Sequence, residues 1–178
     1  MAGFRLLLLS FFSVYLQVVA SSSPPFSAGL EFLQKQIGYQ FKSIDLLRQA
    51  MTHPSYSLDN NRALSLLGLS AMESSAALSL LVLDPNTSPE AVNARVAKIA
   101  SMEDCVSIGK RLQIEKLVRV AKKTSASSPA VICGAFRAIY GAIAVDAGGL
   151  DAATKVLGSI LDGGFLLAGN HSQFTVSD

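Results

Sequence analysis

Apolar residues recur along most of this chain at the three- and four-residue spacing of helices that bury one face. Leu30, Leu33 and Ile37 form the first such stripe, closed by Gly38-Tyr39. Leu46, Leu47, Ala50 and Met51 form the second, with Ser43 or its neighbour placed to cap it. Thr52-His53-Pro54-Ser55-Tyr56 breaks the period at the proline, and a loop runs on through Asp59-Asn60-Asn61. A long helix is predicted from Ala63 to Leu83, stopped by Asp84-Pro85. Ser88-Pro89-Glu90 reads as an N-cap with proline at the first helical position, opening a helix through Val92, Val96, Ile99 and Met102. Further helices are predicted over Asp104 to Leu112, Pro129 to Ala147 and Ala152 to Leu161, with Gly148-Gly149 ending the second of these. No alternating strand pattern, internal repeat or heptad run competes, so the expected fold class is all-α.

Composition agrees. Half of the 178 residues are apolar, only 7% are aromatic and there is no tryptophan. That mixture suits packed helices better than a sheet, and the length supports one domain with a real core. The formal charge of +2, from 15 basic and 13 acidic residues, is too small an excess to imply nucleic-acid binding, which draws on a clustered basic face. The run Lys110, Arg111, Lys116, Arg119, Lys122 and Lys123 could touch RNA phosphates, but a solvated surface is the more frequent meaning of such a run.

The N-terminal segment has a different character. Met1 to Arg5 supplies a short cationic region and Leu6 to Ala20 an apolar block, the pattern of a signal peptide cleaved after Ala20. The block is shorter than the roughly 20 apolar residues of a membrane span, so no stable span is expected after cleavage. The domain plan is a signal peptide over 1–20, a flexible linker over 21–28, a single domain over 29–165 and a disordered tail over 166–178. The address is the secretory pathway, either the endoplasmic reticulum lumen or export, with the mitochondrion as the alternative. Asn86-Thr87-Ser88 and Asn170-His171-Ser172 are glycosylation sequons, and Pro89 should hinder use of the first. Cys105 and Cys133 could pair in an oxidising lumen; two buried free thiols fit the sequence as well.

Several motifs occur together in order: Ile37-Gly38-Tyr39, then Thr52-His53-Pro54-Ser55-Tyr56, then Leu64 with Leu67-Gly68, then Ala135-Phe136-Arg137 through Gly141, with Asp146 and Gly148-Gly149. In this the chain resembles the endonuclease domain of the ribonuclease III family over about residues 29 to 161. The resemblance implies an all-helical fold, a homodimer, and active sites along the dimer interface. It also implies a cluster of carboxylates holding Mg²⁺, a hard cation that takes oxygen ligands and activates water against phosphate.

That cluster is missing. Aligned with the family's first signature, the chain reads Asn61-Arg62-Ala63-Leu64-Ser65-Leu66-Leu67-Gly68-Leu69, with Ser65 and Leu69 where two of the acids belong. Its second signature reads Gly134-Ala135-Phe136-Arg137, with Gly134 and Arg137 in place of the other two. Serine is a poor neutral ligand, leucine and glycine offer no side-chain oxygen, and Arg137 repels a cation. Glu73, two turns beyond Ser65, is one carboxylate where several are needed. No catalytic residue, metal or cofactor is therefore expected. His53 has no partner nearby in sequence to make it a base, and is expected to cap or pack. Wording around QKQIGYQFKSIDLLRQAMTH and FRAIYGAIAVDAG resembles a small plant subgroup of ribonuclease III-like proteins, which implies a role in karyogamy, the fusion of polar nuclei in the female gametophyte. Two alternatives stay open: a metal-dependent double-stranded RNA endonuclease, and a catalytically dead RNA-binding protein of an organelle.

Overall fold

The computed structural model describes residues 26–166, with side chains through Leu161. The predicted signal peptide, Asn170 and nearly all of the predicted tail lie outside the described residues. Among the described residues the chain folds as α1 (Phe26–Ile37), α2 (Ile44–Ala50), α3 (Arg62–Leu83), α4 (Pro89–Ala100), α5 (Met102–Arg111), α6 (Ile114–Leu117), α7 (Pro129–Ala147) and α8 (Asp151–Leu166). The only sheet-like pairing among them is an isolated bridge between Thr52 and Arg119.

The architecture is built around α7. Ser128 caps its start, with Oγ accepting the Val131 N–H at 3.4 Å and Pro129 following at the first helical position. Gly148 ends it in the left-handed region at φ +75°, a conformation glycine reaches without strain. Phe136, Ile139, Tyr140 and Ile143 are all fully buried. α7 is surrounded by α2, α3, α5, α6 and α8, so a helix apolar nearly all round is satisfied as a core helix. α3 and α7 are each long and apolar enough to cross a membrane by length and composition. For α7 that apolarity is spent on the core. α3 buries one stripe, Leu64, Gly68, Ala71, Met72, Ser75 and Ala76, and leaves Leu66, Leu67, Leu78, Leu81 and Val82 exposed.

Three boundaries differ from the sequence expectation. α1 already includes Phe26, Ser27 and Ala28, inside the segment read as linker, and the Phe26 ring has a tertiary partner, lying 4.4 Å from the guanidinium carbon of Arg119. α4 ends at Ala100 instead of running through Met102, because Ser101 turns extended (ψ 148°) and its Oγ accepts the Asp104 N–H at 3.1 Å, starting α5. The short α6 was not predicted; it is set off by Gln113 in the left-handed region at φ 56°, a conformation nothing in a glutamine announces.

Ser43 flanks α2 on its N-terminal side, but its hydroxyl makes no capping bond. The N–H groups of Lys42 and Ser43 instead donate to Asp146 near the end of α7, at 2.9 and 2.8 Å, and the Tyr39 hydroxyl donates to the same carboxylate at 2.9 Å. Burial opposes ionisation of Asp146, but the Lys42 and Ser43 N–H groups, the Tyr39 hydroxyl and the Lys42 charge outweigh it and hold the carboxyl below its ordinary value. Tyr39 is pushed up to about 12, chiefly by burial and then by its bond to Asp146.

A carboxyl depressed in the folded state stabilises above its unfolded pKa, and that stability is lost as pH falls through the folded value. Asp146→Asn should therefore cost about 1–2 kcal/mol at neutral pH, and the gap from the parent should close as pH drops below about 4. Urea unfolding of both proteins at pH 7 and pH 3 checks this. A gap that persists unchanged at pH 3 would assign the effect to shape rather than charge.

Candidate functional site

The four positions that the resemblance sets against the family's acids lie around the crossing of α3 and α7. The two backbones touch there. A Cβ on Gly68 would collide with the Arg137 carbonyl, and a Cβ on Gly141 with the Leu64 carbonyl. Only glycine at 68 and 141 lets the helices come this close. Ser65 and Leu69 flank Gly68 on α3 and are partly exposed, Arg137 sits in the contact, and Gly134 lies one turn earlier on α7. Ser65, Leu69, Gly134 and Arg137 thus share the surroundings of this crossing.

What stands there does not fit a divalent ion. Ser65, Leu69, Gly134 and Arg137 supply no anionic oxygen. Among the described residues no three His, Cys, Asp or Glu side chains gather closely enough to hold a metal. Steric exclusion is not the reason at Gly134, where an added Cβ would meet nothing within 4 Å. Arg137 turns its guanidinium to the end of α4, and Nη2 donates to the Ala100 carbonyl at 2.7 Å. A cation on the last carbonyls of a helix meets the negative end of its dipole.

The Thr52–Tyr56 motif forms a structural knot. Thr52 is buried; its Oγ1 donates to the Arg48 carbonyl at 2.7 Å and accepts from Nη2 of Arg119. The His53 N–H donates to the Arg119 carbonyl at 3.0 Å, and the Arg119 N–H to the Met51 carbonyl at 2.9 Å. The His53 ring Nδ1 accepts the Ser55 N–H at 3.0 Å, and the Ser55 hydroxyl accepts the Ala121 N–H at 3.1 Å. Burial, and then the charge of Arg62, hold the His53 imidazole below its ordinary value, which keeps Nδ1 available as an acceptor at neutral pH. His53 packs and pairs locally, as the sequence led us to expect. Asn61 completes the knot, its side-chain amide donating to the Ala50 carbonyl at 3.1 Å.

Arg119 is the residue that sequence reasoning missed. Grouped there with a solvated basic run, it instead lies between the rings of Phe26 and Tyr56, 4.4 and 5.1 Å from their centroids. Nothing in its sequence neighbourhood distinguishes it from Lys116 or Lys122, which are exposed. The retained signature residues behave as packing positions: Leu64, Gly68, Ala135, Phe136 and Gly141 are buried, while Leu67 faces outward. Cys105 and Cys133 are both buried and form a disulfide between α5 and α7, with Cα atoms 5.2 Å apart. Asn86 is exposed in the turn between α3 and α4, its N–H bonded to Asp84 Oδ1 at 2.9 Å. The hydroxyl of Ser88, the last residue of that sequon, is engaged as the α4 cap, accepting the Ala91 N–H at 3.2 Å.

This helical frame, with its two signature regions crossing at paired glycines, defines the class. Residues 43–163 match the family described as Ribonuclease-III-like, and the chain belongs to that family. Among its relatives, it is 46% identical over 135 residues to the Arabidopsis thaliana protein NUCLEAR FUSION DEFECTIVE 2, covering 75% of this chain and 71% of that protein. It is 34% identical over 139 residues to Ribonuclease 3 of Delftia acidovorans, covering 75% of this chain and 60% of the enzyme. With Ribonuclease 3 of Thiobacillus denitrificans it shares 30% identity over 134 residues, 73% of this chain and 59% of the enzyme. The chain thus spans about three-fifths of these two bacterial enzymes. Among solved structures, the nuclease domain of ribonuclease III from Campylobacter jejuni aligns with a TM-score of 0.71 at 22% identity, covering 77% of this chain and 99% of that domain. That structure concerns flexibility in the region of the bacterial domain involved in dimer formation.

Proposed function

We propose that this chain is a non-catalytic ribonuclease III-like protein that acts in karyogamy, the fusion of polar nuclei, as a homodimer within the secretory pathway. The observation that carries the non-catalytic part is Arg137: the position of a metal-binding acid holds a cation already bonded to the Ala100 carbonyl. With Ser65, Leu69 and Gly134 at the other three positions, there is no set of oxygens to hold Mg²⁺ or to orient an attacking water. The biological part rests on similarity to the nuclear-fusion relative.

The dimer reading draws on α3 and on the dimer-forming bacterial domain. Ala63, Leu67, Ser70, Ser74, Leu78 and Leu81 are all exposed and recur on one helical face without a charge. An uncharged stripe running the length of a 22-residue helix suits a seam between two copies. The leader and the Cys105–Cys133 bond support an oxidising lumen over the mitochondrion.

The mature protein, incubated with long duplex RNA and Mg²⁺ or Mn²⁺, should leave the RNA intact, light scattering should give the mass of two copies, and the gene should restore nuclear fusion to a plant line lacking the relative. Metal-dependent cleavage would overturn the non-catalytic reading and favour the activity for which the bacterial relatives are named. Failure to restore fusion, with the protein present at normal level, would overturn the biological one.

A further inference from the structure

A cavity of about 670 Å³ lies between α1 and the α5–α6 corner, well away from the α3–α7 crossing. Its walls are apolar: Phe32 and Leu33 from one side, Leu112 and Leu117 from the other. Gly29 sets the approach of these walls, since a Cβ there would press on the Leu117 side chain. Phe32 is 54% exposed although it is a large aromatic, and it stands at the open side of the cavity. One charge reaches the lining, Lys116. Its Nζ bonds the Gln113 side-chain oxygen at 3.1 Å, and among the described residues no carboxylate lies within ion-pair distance of it. Gln113, in the left-handed region at φ 56°, stands at the start of α6 and places its side-chain amide beside the ammonium group.

We infer that this cavity is a binding site for an anionic amphiphile, a molecule with an aliphatic body and a single carboxylate. The volume is that of a small-molecule site, and sites of this kind pair apolar walls with a few convergent polar groups. An aliphatic body would cover Phe32, Leu33, Leu112 and Leu117, removing apolar surface from water on both sides. The carboxylate would sit against Lys116, where no acid among the described residues stands, with the Gln113 amide as a second donor. The inference does not depend on the proposed function, since none of the residues lining the cavity lies on α3.

Titration of the mature protein with the fluorescent fatty acid cis-parinarate tests the inference, with laurate and dodecanol as competitors. Saturable binding at one site per chain is expected, with laurate competing about tenfold more strongly than dodecanol, the worth of one charge-assisted contact. Lys116→Met should weaken parinarate about tenfold, while Lys122→Met, an exposed lysine outside the cavity, should leave it unchanged. Ala28→Trp, a substitution at an exposed lining position, should abolish binding without unfolding the protein, as its helical circular dichroism would report. Absence of binding would overturn the inference, as would binding indifferent to both Lys116→Met and Ala28→Trp. Dissociation of a dimer by Ala28→Trp, with no parinarate binding in the parent, would assign the cavity to a second copy of the chain instead.

Discussion

Gly141→Ala is expected to lower the stability of the domain by about 3 kcal/mol or more, a large fraction of the 5–15 kcal/mol of a typical domain. The cause is contact between two backbones. The added methyl would overlap the Leu64 carbonyl, and a main-chain carbonyl in the middle of α3 cannot turn aside as a side chain can. Relief requires α3 and α7 to move apart along a contact more extensive than any other pair of helices makes. Gly134→Ala on the same helix is expected to do the opposite and raise stability by about 0.5–1 kcal/mol, because a Cβ there meets nothing within 4 Å and alanine is the better helix former. Urea unfolding of the two variants beside the parent gives both signs in one experiment. A Gly141→Ala protein that unfolds at the parent's midpoint would mean that the two helices do not meet backbone to backbone.

Loss of the Cys105–Cys133 bond should be of similar size. The two residues are 28 apart in sequence, and closing a loop of that length in the unfolded chain corresponds to about 3–4 kcal/mol in the chain-entropy account. The bond joins α5 to α7 one turn before Arg137, whose guanidinium holds the end of α4. Together they tie α4 and α5 to the first turns of the core helix. The double variant Cys105→Ala/Cys133→Ala is expected to melt about 10 °C below the parent. Because both sulfurs are buried, a reductant should act on the folded protein only slowly, at the rate at which it opens. Differential scanning calorimetry of parent and double variant, with and without reductant, decides the matter. Equal melting temperatures would show that the cross-link contributes nothing to stability.

Much of the fold was legible along the chain because the forces that make it are local. The stripe of Leu30, Leu33 and Ile37, the Ser88-Pro89 start and the Gly148 stop act within a turn or two of themselves, so their periodicity and capping residues announced them. The all-α class followed. That residues 65, 69, 134 and 137 carry no carboxylate is equally legible, since it is a matter of residue type.

What the sequence by itself determined, then, is which segments are helical and which chemistry their side chains lack. Only the tertiary structure decided what those side chains do instead. Arg137 reads in sequence merely as a wrong charge; in the fold it holds the Ala100 carbonyl. Arg119 reads as one cation of a solvated run, and the fold encloses it between Phe26 and Tyr56, residues 93 and 63 positions away in the chain. Whether Cys105 and Cys133 would meet, and that Gly68 and Gly141 would mark a crossing of two backbones, depends on helices distant in sequence arriving side by side. Spacing along a chain fixes which face of a helix is apolar, but the partner for that face, and the distance at which it stops, come from packing of the whole core.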